Sequence, residues 1–308
     1  MLIVDGRKES NLHSSWSKQN MEICAVPQNE IVQIIIPDSS TMQITKDSTS
    51  ETLHLLDSSR YDAAVGPIRV EGASPGDSLE IEIIQIRTGD WGWTSLSSDF
   101  GLIKKRFSER LYHWSIFGGY ATPMGDFLEG IRIRTDPFLG VIGTQPSSGK
   151  YGMIPPRHFG GNMDNRLLRP GSRLYLPCNI DGGMISFGDP HAAQGDGEVC
   201  GTAIETSAEA MVRFRVLKGE KISFPRARVP PVAEPESIMT SGISRSLRQA
   251  AIIAVEEMID DLARMQGLTA EEAYVLCSVA GNLKVSEIVD EPNFVVSMTL
   301  PKNIFSRA

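Results

Sequence analysis

The chain has 308 residues, 41% of them hydrophobic and 22% charged, a net charge of −8 and a pI near 5.3. That is enough chain and enough apolar material for one large domain or two closely joined ones, and it argues against disorder and fibrous repeats. The acidic balance and a longest basic cluster of three residues, Lys104-Lys105-Arg106, exclude a nucleic-acid surface; no apolar run is long enough to span a bilayer, and no signal-like leader opens the sequence.

In chain order, residues 20 to 90 alternate apolar and polar positions in short runs such as Ile31–Ile36 and Ser78–Ile84, the pattern of half-buried strands. Between them Ala73-Ser74-Pro75-Gly76-Asp77 is a turn signal that predicts a hairpin-like connection. Further strands are expected over Gly130–Arg134, Arg173–Pro177 and Ala210–Val216, separated by glycine-rich loops. The proline-rich stretch Pro225 to Pro235 predicts a connector, because prolines so close together suit neither helix nor central strand. Ile252, Val255, Ile259 and Leu262 recur at helical spacing before Gly267, and Thr269-Ala270-Glu271-Glu272 has the form of a capping box, with Gly281 as a stop. Asn293 to Leu300 returns to strand. The expected fold is mainly β, a β-sandwich body over residues 1–224 joined to a smaller α+β portion over 225–308 that carries two helices.

The chemistry concentrates between Phe159 and Glu198, where carboxylates and an imidazole recur in a glycine-dense background. On an extended segment Asp189 and His191, two apart, share a face, and with Asp164 they make a three-ligand set that leaves a position open for water. Imidazole with carboxylate oxygens suits a divalent metal ion, zinc first, with calcium or manganese as alternatives. Glu198, two residues from Asp196, is expected to be the proton carrier, its affinity raised by that neighbour, with Asp196 as the substitute. The four cysteines, Cys24, Cys178, Cys200 and Cys277, form no CxxC pair and read as reduced structural thiols, which with the missing leader predicts a cytoplasmic protein.

The central strings Gly160-Gly161-Asn162-Met163-Asp164 and Gly188-Asp189-x-His191-Ala192-Ala193-Gln194-Gly195-Asp196-Gly197-Glu198-Val199 resemble the acetamidase/formamidase family, as do Gly66-Pro67-Ile68, Glu71 to Asp77 and the end of the chain from Asn293 to Phe305. The resemblance runs from about His13 to Phe305 and implies a hydrolase that cleaves short aliphatic amides to carboxylate and ammonia by a metal-activated water. It also implies a β-sandwich fold and a homodimer. His13 and Trp16 match the family's early pattern, and the resemblance adds Asp38 to the metal site; Asn162, Gln194 and His13 are the substrate-binding candidates. Ser39-Ser40-Thr41-Met42 stands where the family shows two glycines after Asp38, and Asn282 where it shows Asp. Two rival readings remain open: a cysteine amidase using Cys200 or Cys277, and an inactive member serving as a binding module.

Overall fold

The alternation in the sequence becomes two large sheets in the computed structural model, which describes residues 1–231 and 236–305. One sheet has nine strands in the spatial order Leu2–Asp5, Ile31–Ile36, Ala208–Leu217, Ser78–Thr88, Arg173–Pro177, Arg226–Val229, Ser237–Ser244, Phe294–Pro301 and Asn282–Glu287. The other has eleven strands, among them Arg110–Phe117, Trp91–Leu96, Ile204–Glu205, Ile185–Ala193, Phe138–Thr144 and Ala64–Val70. Val32, Ile34, Ile36, Leu79, Ile81 and Phe214 of the first meet Val65, Ile68, Ile142, Ile185 and Phe187 of the second in one buried core. This is the sandwich that the period-two pattern predicts, because every second side chain of such a strand points into the interface.

Three expectations change. The turn Ala73–Asp77 is not a hairpin: it carries the chain from Ala64–Val70 in one sheet to Ser78–Thr88 in the other. Asp77 fixes this corner by accepting from Ser74 N and Gly219 N, both at 2.9 Å. Over Gly130–Arg134 only Ile133–Arg134 is paired. The division at residue 224 is crossed by a continuous sheet, since Arg173–Pro177 on one side pairs with Arg226–Val229 on the other. Of the prolines in the expected connector, Pro235 lies outside the described residues.

The helices α1 (Leu247–Gln266) and α2 (Ala270–Ala280) lie where the pattern puts them. Gly267, at φ 69°, closes α1, and Thr269 and Glu272 form the capping box of α2. The buried face of α1 is rotated from the one read in the sequence and runs along Ala250, Ala254, Met258 and Leu262, with Val255 and Ile259 only flanking it. The cause is close approach: a Cβ on Gly242 would stand 1.9 Å from the Ala250 carbonyl oxygen and 2.6 Å from the Ala254 nitrogen. Small side chains, Ala250 and Ala254, occupy the helix at that crossing. Because both atoms met are backbone, Gly242→Ala is expected to destabilise by about 1–3 kcal/mol or more, read as a lowered midpoint in chemical denaturation. An unchanged midpoint would refute this packing. Among the described residues no helix is long and apolar enough to cross a membrane.

Candidate active site

The strand Ile185–Ala193, buried along its whole length, carries the Asp-x-His pair. His191 pairs in register with Glu205 on one side and Phe138 on the other, and its Nε2 lies 3.1 Å from Asp189 Oδ2, 3.2 Å from Glu205 Oε2 and 3.9 Å from Glu198 Oε1. Asp164 enters from the loop after Gly160–Asn162. Gly140 makes room for it, since a Cβ there would stand 2.3 Å from Asp164 Oδ1 and 2.4 Å from Asp189 Oδ2. Two carboxylates can sit this close to the strand only where residue 140 has no side chain.

Asp62, Glu205 and Asp290 complete a group of six buried carboxyls with Asp164, Asp189 and Glu198. Asp62, Asp164, Asp189 and Glu198 all have positive φ, between 41° and 53°, and they are four of the ten non-glycine residues in that region among the described residues. Such backbone is costly for a side chain that lacks glycine's freedom, and here it is concentrated on one cluster. Burial, reinforced by negative neighbours, pushes Asp62, Asp164, Glu198 and Asp290 well above the usual carboxylate range. Burial lifts Glu205 to about 7. Burial alone would pull His191 down, but Asp189 and Glu205 outweigh it and hold the imidazole well above its ordinary value.

The orientation of the ring follows from its neighbours. Gln194 donates through Nε2 to the Asp164 carbonyl at 2.7 Å, so its Oε1, 2.9 Å from His191 Nδ1, must accept. The Nδ1 proton therefore points at Gln194, and Nε2 faces the carboxylates. With the ring neutral, as a metal ligand must be, Nε2 offers a lone pair, and it, both oxygens of Asp164 and Asp189 Oδ1 are buried without a hydrogen-bond partner; a cation there displaces the proton that Asp189 and Glu205 otherwise hold on the ring. Unpaired atoms of this kind are costly unless a cation satisfies them. Asp164, Asp189 and His191 bring one ligand atom each within 4.8 Å of one another, and so do His191, Glu198 and Glu205. The donor set, one imidazole with carboxylate oxygens, fits a divalent metal ion. The first triad fits better, because the Glu205 oxygens already accept from Ala203 N and Ser39 Oγ, both at 2.8 Å.

The cluster forms one wall of a cavity of about 390 Å³. Asn162 lines it, with Nδ2 donating to Asp290 Oδ2 at 2.7 Å and Oδ1 buried without a partner. Of the residues singled out in the sequence, Asp164, Asp189, His191 and Glu198 come together, Asn162 faces the same space, and Gln194 stands behind His191. Three do not join them. Asp196 is exposed: the turn through Gly197, at φ 92°, sends it outward and Glu198 inward, so it is Asp164 and not Asp196 that raises Glu198 after burial. Asp38 is buried, but Ser40 Oγ, Met42 N and Trp93 Nε1 occupy its oxygens at 2.7, 2.8 and 3.1 Å, which leaves it no part in the ligand set. His13 bonds Ser186 Oγ at 2.8 Å and packs edge-on against Trp16, away from the residues that line the cavity. Cys277 is buried in α2, where burial pushes its thiol up, and neither it nor Cys200 lines the cavity.

The chain is 26% identical over 373 residues to a formamidase of Methylophilus methylotrophus, a match covering 97% of this chain and 90% of that one. An acetamidase structure from Bacillus halodurans superposes with a TM-score of 0.90 at 30% identity, over 99% of this chain and 98% of the other. A structure described as a predicted acetamidase/formamidase from Thermoanaerobacter tengcongensis gives 0.87 at 29% identity, covering 98% and 96%. The sandwich, its buried acidic cluster and these near full-length matches define an amidase, a hydrolase of linear C–N bonds. The chain belongs to the acetamidase/formamidase family, whose model matches residues 5–151 and 149–307.

Proposed function

We propose that the protein hydrolyses short aliphatic amides to carboxylate and ammonia, with a divalent metal ion, zinc in the first instance, held by Asp164, Asp189 and His191. The observation that carries this reading is the set of buried, partnerless atoms on those three residues, converging beside a cavity that a small amide can enter. A metal ion held there would supply a Lewis acid for the amide carbonyl and the attacking water. Glu198 takes a proton from the attacking water and returns it to the leaving nitrogen, which an amide needs because nitrogen departs as neutral ammonia far more readily than as the strongly basic anion NH₂⁻. Its burial among negative neighbours gives it the raised proton affinity such a shuttle requires. The Asn162 Oδ1, buried and without a partner, accepts from the amide NH₂ and orients it. Gln194 locks the His191 tautomer rather than touching substrate, and Glu205, fixed by Ser39 and Ala203, holds negative charge against the ring.

The reading extends to a homodimer, supported by the family resemblance, and to a cytoplasmic location, supported by four free cysteines. Ammonia release from formamide and acetamide by the purified protein tests the activity. Release that a thiol reagent does not diminish is the expected result, and release abolished by the reagent would shift the chemistry to a cysteine. No release from these or from larger amides would favour a binding module.

A further inference from the structure

The cavity is large for the amides just named. On a scale where one water needs on the order of 10–15 Å³, about 390 Å³ is many times the room taken by the four heavy atoms of acetamide. It falls within the range of roughly 300–1,000 Å³ typical of sites that enclose far larger ligands. Besides the carboxylates the lining holds an apolar set, Leu53, Trp93, Leu96, Phe100 and Ile154. Among the described residues no lysine, arginine or histidine lines the space, while Asp62, Asp189, Glu198, Glu205 and Asp290 do, with exposed Glu109 at the rim.

That apolar wall is held in place. Trp93 is almost fully buried, and its indole N–H donates to Asp38, which Ser40 and Met42 N hold in turn; this is the segment that replaces the expected pair of glycines. Phe100 lies against Gly201, where a Cβ would come within 2.5 Å of its ring. Next to it Gly101 approaches the Cys200 carbonyl so closely that a Cβ would stand 2.7 Å from the oxygen. Lys104 ties the same loop to Glu291, beside Asp290, at 2.8 Å. A wall ordered before the substrate arrives can contribute its apolar contact to binding without first paying to be organised.

We infer that the preferred substrate is an uncharged primary amide with a branched-alkyl or arylalkyl acyl group, seated on Leu53, Trp93, Leu96, Phe100 and Ile154, and that formamide and acetamide are poor members of its series. This rests on the amidase reading above. An acyl group that reaches the wall removes apolar surface from water, whereas acetamide leaves the wall wet. An acyl group bearing a carboxylate finds no lysine, arginine or histidine in the lining to pair with and must lose its hydration against apolar surface.

The test is kcat/KM, followed by ammonia release, for formamide, acetamide, isobutyramide, phenylacetamide and the anion succinamate. The expected result is a rise of about fourfold for each methylene buried, reaching on the order of 10²-fold for phenylacetamide over acetamide. Succinamate should fall below acetamide despite its longer chain. In Phe100→Ala, and separately in Leu53→Ala, the phenylacetamide-to-acetamide ratio should drop about fivefold or more, so either variant alone suffices if the other fails to fold. Acetamide turned over as well as isobutyramide and phenylacetamide would overturn the inference and leave the amidase reading standing. Ammonia released from none of the five would overturn both.

Discussion

Replacing His191 by alanine is expected to remove the bound divalent ion and the amidase activity together. His191 supplies the nitrogen donor of the proposed triad, and its Nε2 is the atom at which Asp189 and Glu205 converge. Without it two carboxylates remain, and they must keep protons to stay buried, which removes the charge that would hold a cation. The ring is fully buried and packs edge-on to Phe138 with centroids 5.0 Å apart, so the variant also leaves a void. A loss of about 1–3 kcal/mol in stability is expected from that, with cooperative unfolding retained. Elemental analysis of the folded variant checks the assignment, and an ion retained at full stoichiometry would defeat it.

Glu198→Gln is expected to lower turnover by about 10²–10⁴-fold, the usual range for removing a general acid–base. Glutamine keeps the size and most of the hydrogen bonding of Glu198 but cannot exchange a proton. The ion content should not change, because Glu198 Oε1 stands 3.9 Å from His191 Nε2, farther than Asp189 or Glu205, and Glu198 has no atom among those buried without a partner. A variant that loses its ion would make Glu198 a ligand in the alternative set with His191 and Glu205. Turnover above about a tenth of the wild-type value would move the shuttle to another carboxylate, first to Glu205, which stands 3.2 Å from the ring and outside the proposed ligand set.

What was legible in the sequence was what local periodicity determines. The alternation of Ile31–Ile36 and Ala208–Leu217, the capping box at Thr269 and the stop at Gly267 all depend on neighbours within a few residues. The Asp189–His191 pair was legible for the same reason, since a strand puts residues two apart on one face. What escaped was set by pairing across the fold. Glu205 faces His191 only because two strands align, and Asp62 and Asp290 arrive from loops remote in sequence. Gly140 has no signature beyond being a glycine; its importance lies in the two carboxylates that occupy the space a side chain would fill. Asp196 shows the converse error. It stands two positions before Glu198, but a left-handed turn at Gly197 puts one in solvent and the other in the interior. The rotation of α1 was hidden too, because Ile252, Val255 and Ile259 give the stronger apolar stripe, while small side chains, Ala250 and Ala254, occupy the contact with Gly242.

The most direct measurement is ammonia release from acetamide by protein stripped with a chelator, then titrated separately with zinc, manganese and calcium while bound ion is counted. The proposed site predicts that stripped protein falls to about a hundredth of its activity or less, and that activity returns in proportion to the ion bound and saturates at about one per chain. Undiminished release from protein holding less than about a tenth of an ion per chain would contradict it.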